Sequence, residues 1–446
     1  MERTRILANI TSLNAEQLFE EIKEGNVTLK ELTETGLFAV TDARYKQILK
    51  WQKEYDSKED EAWENARYKK QSHLSDYITN YPTGKYVQEA KDRINTLEKE
   101  LRQKQAAKDG ILNNIKKNPN KYSPDQIEEY LQNDTITEYD LLECGIPQNI
   151  IETISNITPP RLRLGDTPTA IPDGFTEVYF WGIPGSGKTC ALAALLSTAH
   201  KEGYLNIAIG PGYDYMTRLQ NIFIDDTAFL PPPSPVETTQ YLPFTLKKVK
   251  ESHFRSVSLI ELSGEIFQCF FYKNAGLELP SHSHVETFDS LTGFLNGSNR
   301  KIHFFFIDYD RENKKDSNGY TQSNYLEAAA TYFCKPENKV FGKSTDAIYV
   351  VLTKSDLMNC SNEELIKKTK EHVSNANFLS FINTLKDNCK KHDINAGRLT
   401  VEPFSLGKVY FQQICDFDNS TAKKILDILF DRIKPSKKSI LDVFNK

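Results

Sequence analysis

Eight consecutive residues, Gly182-Ile183-Pro184-Gly185-Ser186-Gly187-Lys188-Thr189, constrain the fold more than any other part of this 446-residue chain. Before them, Glu177-Val178-Tyr179-Phe180-Trp181 reads as a buried strand. After them, Cys190 to His200, with Ala-Leu-Ala-Ala-Leu-Leu at its heart, reads as a helix. A glycine-rich turn between strand and helix lets successive backbone N–H groups converge on phosphate oxygens at the positive end of the helix. Lys188 then reaches the β- and γ-phosphates, and the Thr189 hydroxyl ligates Mg²⁺. Gly182, Gly185, Ser186, Gly187, Lys188, Thr189 and the adjoining Cys190 are therefore the expected nucleotide contacts. Strand, loop and helix agree on an α/β domain that binds a nucleoside triphosphate. Which one is left to other segments.

Composition narrows the classes. A net charge of −5 without a basic stripe argues against a nucleic-acid partner. No apolar run approaches the ~20 residues that span a bilayer. The stretch Met1 to Leu18 lacks the apolar core of a secretory signal. Seven dispersed cysteines with no Cys-x-x-Cys pair read as reduced and structural, so the expected location is cytoplasmic.

The sequence changes character near residue 160. Residues 1–158 are rich in Glu, Lys, Gln and Asn and read as an all-α interaction scaffold. A proline-bearing stretch, 159–174, reads as a linker, and 175–446 alternates strand-like and helix-like runs. Within the helical part, residues 14–37 and 123–146 form a diverged repeat of helix-turn-helix units in constant register. Thr28 with Glu31, and Thr137 with Asp140, are capping-box pairs, and Gly36 and Gly145 stand at left-handed helix ends. Ser123-Pro124 starts the second unit. Between the copies, residues 60–101 carry Trp63, Tyr77, Tyr81 and Tyr86 at helical spacing about a Pro-Thr-Gly turn, similar to half-tetratricopeptide hairpins. Neither second helix of the repeat carries the Arg, Lys and Asn cluster of a DNA reader.

Three further segments bear on the nucleotide. Thr353-Lys354-Ser355-Asp356 follows the apolar run Ala347 to Leu352 and resembles the guanine-specificity box of P-loop GTPases. A carboxylate at Asp356 accepts from both guanine N1–H and the 2-amino group, while Lys354 packs its stem over the ring. Adenine lacks both donors. Ser258 to Gly264 ends in Glu-x-x-Gly, where the family has Asp-x-x-Gly. The resemblance makes Glu261 the acid that holds Mg²⁺ and Gly264 the γ-phosphate sensor. The departure to Glu bears on hydrolysis, and Glu265 is not assigned as a base. Pro403-Phe404-Ser405-Leu406-Gly407 resembles the loop whose backbone contacts the guanine carbonyl, at Ser405 and Leu406. In the insertion Gly210 to Pro243, Thr238 or Thr239 is placed to close over Mg²⁺ and γ-phosphate, with Thr239 taken as the ligand. Ser281-His282-Ser283-His284 lacks a third ligand at zinc spacing and reads as exposed loop. No arginine finger is assigned from sequence: Arg218 and Arg255 are candidates only because of where they fall, and they read as ordinary surface arginines.

These motifs follow the GTPase order along the chain, which resembles the translation-factor-related class of P-loop GTPases. The architecture resembles bacterial signalling and conflict-system proteins with a helical arm. The resemblance implies a mostly parallel sheet flanked by helices, GTP and Mg²⁺ as cofactors, and catalysis through Lys188, Thr239 and Gly264. It further implies slow hydrolysis that switches a protein partner or self-assembly through the N-terminal region. Two alternatives remain open. Ile302 to Asp308 also reads as a Walker B strand, which would make the chain a signalling ATPase with Asp308 as its acid. Glu261 and Glu265 would also suit a nucleotide-binding scaffold that hydrolyses poorly.

Overall fold

The computed structural model describes residues 2–154, 171–207, 209–210, 212–232, 239–338 and 340–435. The chain forms two compact units, Met1–Asn113 and Asn114–Lys446. The division falls inside a continuous helix and not at the proline-bearing stretch 159–174, most of which lies outside the described residues.

The first unit holds α1 (Glu2–Ala8), α2 (Ala15–Lys23), α3 (Leu29–Glu34), α4 (Ala43–Ala66), α5 (Gln71–Asn80) and the start of α6 (Val87–Lys117). The Thr28 hydroxyl accepts from the Glu31 N–H while the Glu31 carboxylate accepts from the Thr28 N–H, so α3 starts on a closed capping box. Leu18, Leu32, Phe38 and Ile48 form one buried cluster. Trp63 stacks on Tyr86 at 5.1 Å between ring centroids in a second cluster. Glu59 is buried there, and its carboxylate accepts from the Tyr77 hydroxyl at 2.7 Å and from the Lys85 N–H at 2.6 Å. A buried carboxylate is tolerable because both donors reach it.

The second unit begins with α7 (Pro124–Gln132), α8 (Glu138–Glu143) and α9 (Gln148–Ile154). Thr137 and Asp140 close the capping box of α8, and Gly145 ends that helix at φ +81°. Two sheets follow. Their strands are β1 (Thr176–Trp181), β2 (Leu205–Asn206), β3 (Thr227–Phe229), β4 (Thr239–Leu246), β5 (Arg255–Leu262), β6 (Lys301–Asp308), β7 (Thr345–Thr353), β8 (Thr400–Pro403), β9 (Gly407–Tyr410) and β10 (Ile414–Phe417). The helices between them are α10 (Lys188–Lys201), α11 (Tyr213–Ile222), α12 (Gly264–Asn274), α13 (His282–Leu295), α14 (Gln322–Cys334), α15 (Asn362–Val373), α16 (Leu379–Lys391) and α17 (Ser420–Arg432).

The main sheet has seven strands in the order β2-β4-β5-β1-β6-β7-β8. β5, β1, β6, β7 and β8 run parallel, and β4 is antiparallel to β5. It is buried on both faces, as parallel sheets are. Alternation along β1 sends Val178 and Phe180 to the side of α10, α11 and α17, where Leu192, Met216 and Leu426 pack. Tyr179 and Trp181 face α12, α14 and α16 beside Phe267, Leu326 and Phe381. A second sheet, β3-β10-β9, is antiparallel, and α9 packs on β3 and β10. No helix among the described residues is long and apolar enough to cross a membrane.

Candidate functional site

Because β1, β5, β6, β7 and β8 share a direction, their C-terminal ends gather Gly182, Ser263, Asp308, Lys354 and Phe404 on one edge of the sheet. β4 runs the other way, so its first residue, Thr239, comes to that same edge opposite Leu262. Chain order reverses at β1, with β5 on one flank and β6 on the other. In open α/β sheets this reversal opens the crevice where ligands bind.

The loop from Gly182 to Thr189 crosses that crevice. A Cβ on Gly182 would stand 2.6 Å from Ser186 Oγ and 3.0 Å from the Phe306 carbonyl, so the first turn needs glycine. Gly187 holds φ +88° as the N-cap of α10 and supplies no side-chain acceptor to the helix start. Lys188 folds back beneath the loop, and its ammonium donates to the carbonyls of Gly182 at 2.7 Å and Ile183 at 3.0 Å. Burial pushes this ammonium down to about 8, with the carboxylates of Glu261 and Glu265 opposing the shift. Cys190 follows in the first turn of α10 and packs against the apolar core.

Thr189 donates its hydroxyl to Glu261 Oε1, and Tyr215 donates to Glu261 Oε2 at 2.6 Å. Glu261 is buried at the end of β5, so this one acid meets the loop's threonine directly. Hydroxyl and carboxylate oxygens are the hard donors that suit Mg²⁺. Gly264 opens α12 against the loop, and a Cβ there would lie 2.0 Å from the Pro184 nitrogen. Thr239 is buried beside this region, and Thr238 lies outside the described residues.

The three residues read as base contacts have distinct positions. The Thr353 hydroxyl donates to the Ser186 carbonyl at 3.0 Å and the Ile307 carbonyl at 3.1 Å, so it ties the loop to β6 and β7. Lys354 takes a left-handed backbone, φ +54°, and its ammonium pairs with the buried Asp308 at 2.9 Å. Asp356 is exposed and accepts a hydrogen bond from the Ser405 hydroxyl at 2.7 Å. The Gly407 N–H in turn donates to Ser405 Oγ at 3.0 Å, which fixes the hydroxyl. Leu406 turns its side chain into the core while its carbonyl accepts from the Asp418 N–H at 2.8 Å.

Asp308 is held from every side. Beyond Lys354, the Gln322 amide accepts from the Asp308 N–H at 3.0 Å and donates to its carbonyl at 2.7 Å. Asp308 Oδ1 accepts from the Asp310 N–H at 3.0 Å, which pins a short 3-10 turn at Tyr309–Arg311. From that turn, Arg311 donates to the Pro184 carbonyl at 2.5 Å.

Sequence reasoning missed Arg311, Tyr215 and Gln322, none of which lies in a recognisable pattern. Arg218 and Arg255 have partners of their own. Arg218 pairs with Asp214 one turn away, and the Arg255 guanidinium, part-buried, reaches the Phe430 carbonyl and Glu251. The His282–His284 segment is corrected: it opens α13, where Ser281 caps the helix and His284 is buried against the Ser281 hydroxyl. Among the described residues, no cluster of three His, Cys, Asp or Glu side chains forms a metal cage. A cavity of about 640 Å³ lies at the opposite edge of the sheet, lined by Gly297, Lys335, Ser344 and His392. It contains none of the loop residues, so the crevice at β1 is the better candidate.

No protein-family model matches this chain, and no curated protein matches it. Among solved structures, the S. cerevisiae Ski7 GTPase-like domain bound to GTP aligns with 59% of this chain and 51% of its own, at 14% identity and a TM-score of 0.28. The chain thus spans about half the length of that solved chain.

Proposed function

We infer that the protein is a regulatory GTP-binding protein that hydrolyses GTP slowly with Mg²⁺ and acts as a nucleotide-controlled switch. The observation that carries this reading is the hydrogen bond from Ser405 to Asp356 at 2.7 Å, on the sheet edge that also holds the loop from Gly182 to Thr189. It orients a carboxylate where a guanine edge can meet it. An adenine edge offers that carboxylate no matching pair of donors.

Lys188 and the N–H groups of the loop would bind the β- and γ-phosphates. Thr189, with Glu261 and Thr239, would hold Mg²⁺, which when bound neutralises charge on the phosphate oxygens. Gly264, at the start of α12, would sense the γ-phosphate, and it packs so closely on the loop that a Cβ there would meet Pro184. The alternative with Asp308 as a Walker B acid is disfavoured by its salt bridge to Lys354, whereas Glu261 is the acid that meets Thr189. The helical segments before residue 158 would engage a protein partner or a second copy.

The test is a titration with fluorescent GTP and ATP analogues in Mg²⁺, with Lys188→Ala as control. Tight GTP binding that ATP does not displace, lost in the variant, supports the reading. Equal or better ATP binding overturns it. Asp356→Asn should shift preference toward xanthosine nucleotides. Single-turnover hydrolysis then separates a switch from a scaffold, which would keep its triphosphate intact for hours.

A further inference from the structure

We propose that Arg311 is a built-in arginine finger, a catalytic residue whose guanidinium contacts the β–γ end of the bound triphosphate during hydrolysis. The proposal rests on the reading of this site as a triphosphate site.

Four observations converge on it. The guanidinium lies on the crest of the loop, bonded to the Pro184 carbonyl at 2.5 Å and 3.4 Å from where a Cβ on Gly185 would stand. Pro184 is the same residue that the start of α12 touches, so crest, Gly264 and Arg311 meet at one point. The base of the side chain is fixed: Asp308 pins the turn through the Asp310 N–H, and the turn packs against the Ser355–Met358 turn beside Asp356. The neighbouring acids are engaged elsewhere. Asp310 pairs with Lys314 at 2.7 Å, and Glu312 accepts from Asn375 at 2.6 Å and Asn377 at 2.7 Å.

Among the described residues no carboxylate pairs with Arg311, so a single carbonyl occupies one of its five N–H donors. An unneutralised, half-buried guanidinium with fixed footing beside a phosphate loop is the preorganised charge that phosphoryl transfer uses. In the reaction the oxygen of water bonds to the γ-phosphorus and the bond from that phosphorus to the β–γ bridging oxygen breaks. GDP leaves with the bond's electron pair, and the water's protons pass to inorganic phosphate and solvent. Arg311 stabilises the charge that develops on the bridging and γ-oxygens.

The bland role for the same contact is a clamp on the loop. Lysine separates the two, because its ammonium donates to the Pro184 carbonyl as well as arginine does but lacks the planar fork. Fluorescent GTP affinity, single-turnover GTP hydrolysis, and binding of GDP with aluminium fluoride would be measured on the full chain for wild type, Arg311→Ala and Arg311→Lys. The expected result is GTP affinity within about threefold of wild type, hydrolysis lower by ~10³-fold in Arg311→Ala and by at least ~10²-fold in Arg311→Lys, and no aluminium fluoride complex in either. A wild-type rate in Arg311→Lys, or in both variants, overturns the proposal, as does a loss confined to GTP affinity. Wild-type protein that binds no triphosphate overturns the site reading itself, a result visible before any variant is made.

Discussion

Thr353→Val tests what the threonine of the Thr-Lys-x-Asp segment does. The two side chains have the same shape, and Thr353 is buried with its methyl against Gly187, so the change removes a hydroxyl and little else. That hydroxyl donates to the carbonyls of Ser186 and Ile307. A buried carbonyl that loses its partner costs about 1–3 kcal/mol. With a urea m-value of ~3 kcal/mol/M for a unit of this size, the unfolding midpoint should fall by roughly 0.3–1 M. Much of that cost falls on the loop from Gly182 to Thr189, so on the proposed function triphosphate affinity should weaken by up to roughly 5- to 140-fold. The loss should be the same for GTP and ATP, because the hydroxyl faces the loop and not the base. Urea unfolding followed by fluorescence, with parallel titrations of both nucleotides, measures each quantity. Unchanged stability with loss of GTP binding alone would refute the reasoning and return Thr353 to base recognition.

Gly264→Ala places a methyl 2.0 Å from the Pro184 nitrogen, so loop and α12 must separate; stability should drop by about 1–3 kcal/mol and GTP affinity with it, read by urea unfolding and titration. His303, buried where Trp181 Nε1–H donates to its Nδ1 at 3.0 Å, is held by burial down to about 3. Its unfolded value is near 6.5, so the unfolded chain takes up the proton first and wild type should lose about 1.4 kcal/mol per pH unit below that point. His303→Gln should flatten that slope in urea midpoints measured at pH 7, 6 and 5. Lys188 gives the same sign in a higher window, because burial lowers its ammonium from 10.5 to about 8, so nucleotide-free protein gains stability as pH rises from about 8 toward 10.5. Phosphate binding restores the proton, and GTP affinity should therefore weaken about tenfold from pH 7 to 9 with uptake of about one proton at pH 9, measured by calorimetry in two buffers. Flat affinity over that range would contradict it.

The central architecture was legible because it is written in patterns that tertiary context cannot easily override. Thr176–Trp181 and Thr345–Thr353 hold the continuous apolar runs Val178 to Trp181 and Ala347 to Leu352 at the length of buried parallel strands, and the glycines of 182–187 fix the turn between strand and helix. The capping pairs Thr28–Glu31 and Thr137–Asp140 are local, and both close. The division at Asn113 was not legible, since the middle of α6 is a solvated, charged helix with no break, buried at Ala90 and again at Ile115. Nor was the β3-β10-β9 sheet, whose strands of three and four residues carry too little periodicity. At the site, glycine and lysine positions follow from spacing. The Arg311–Pro184 and Tyr215–Glu261 contacts join residues 127 and 46 apart, which no local pattern encodes.

That small second sheet has a thermodynamic consequence. β9 and β10 follow directly from Ser405, β3 leads toward Thr239, and Asn149 of α9 donates to Thr227 on β3. The Ser405 loop, the segment that precedes Thr239 and the last described helix before β1 thus share one three-stranded joint. Whatever work a bound nucleotide does on this joint, a ligand gripping α9 does in return. A binder raised against α9 that alters guanine nucleotide affinity by some factor must have its own affinity altered by that same factor when nucleotide is added.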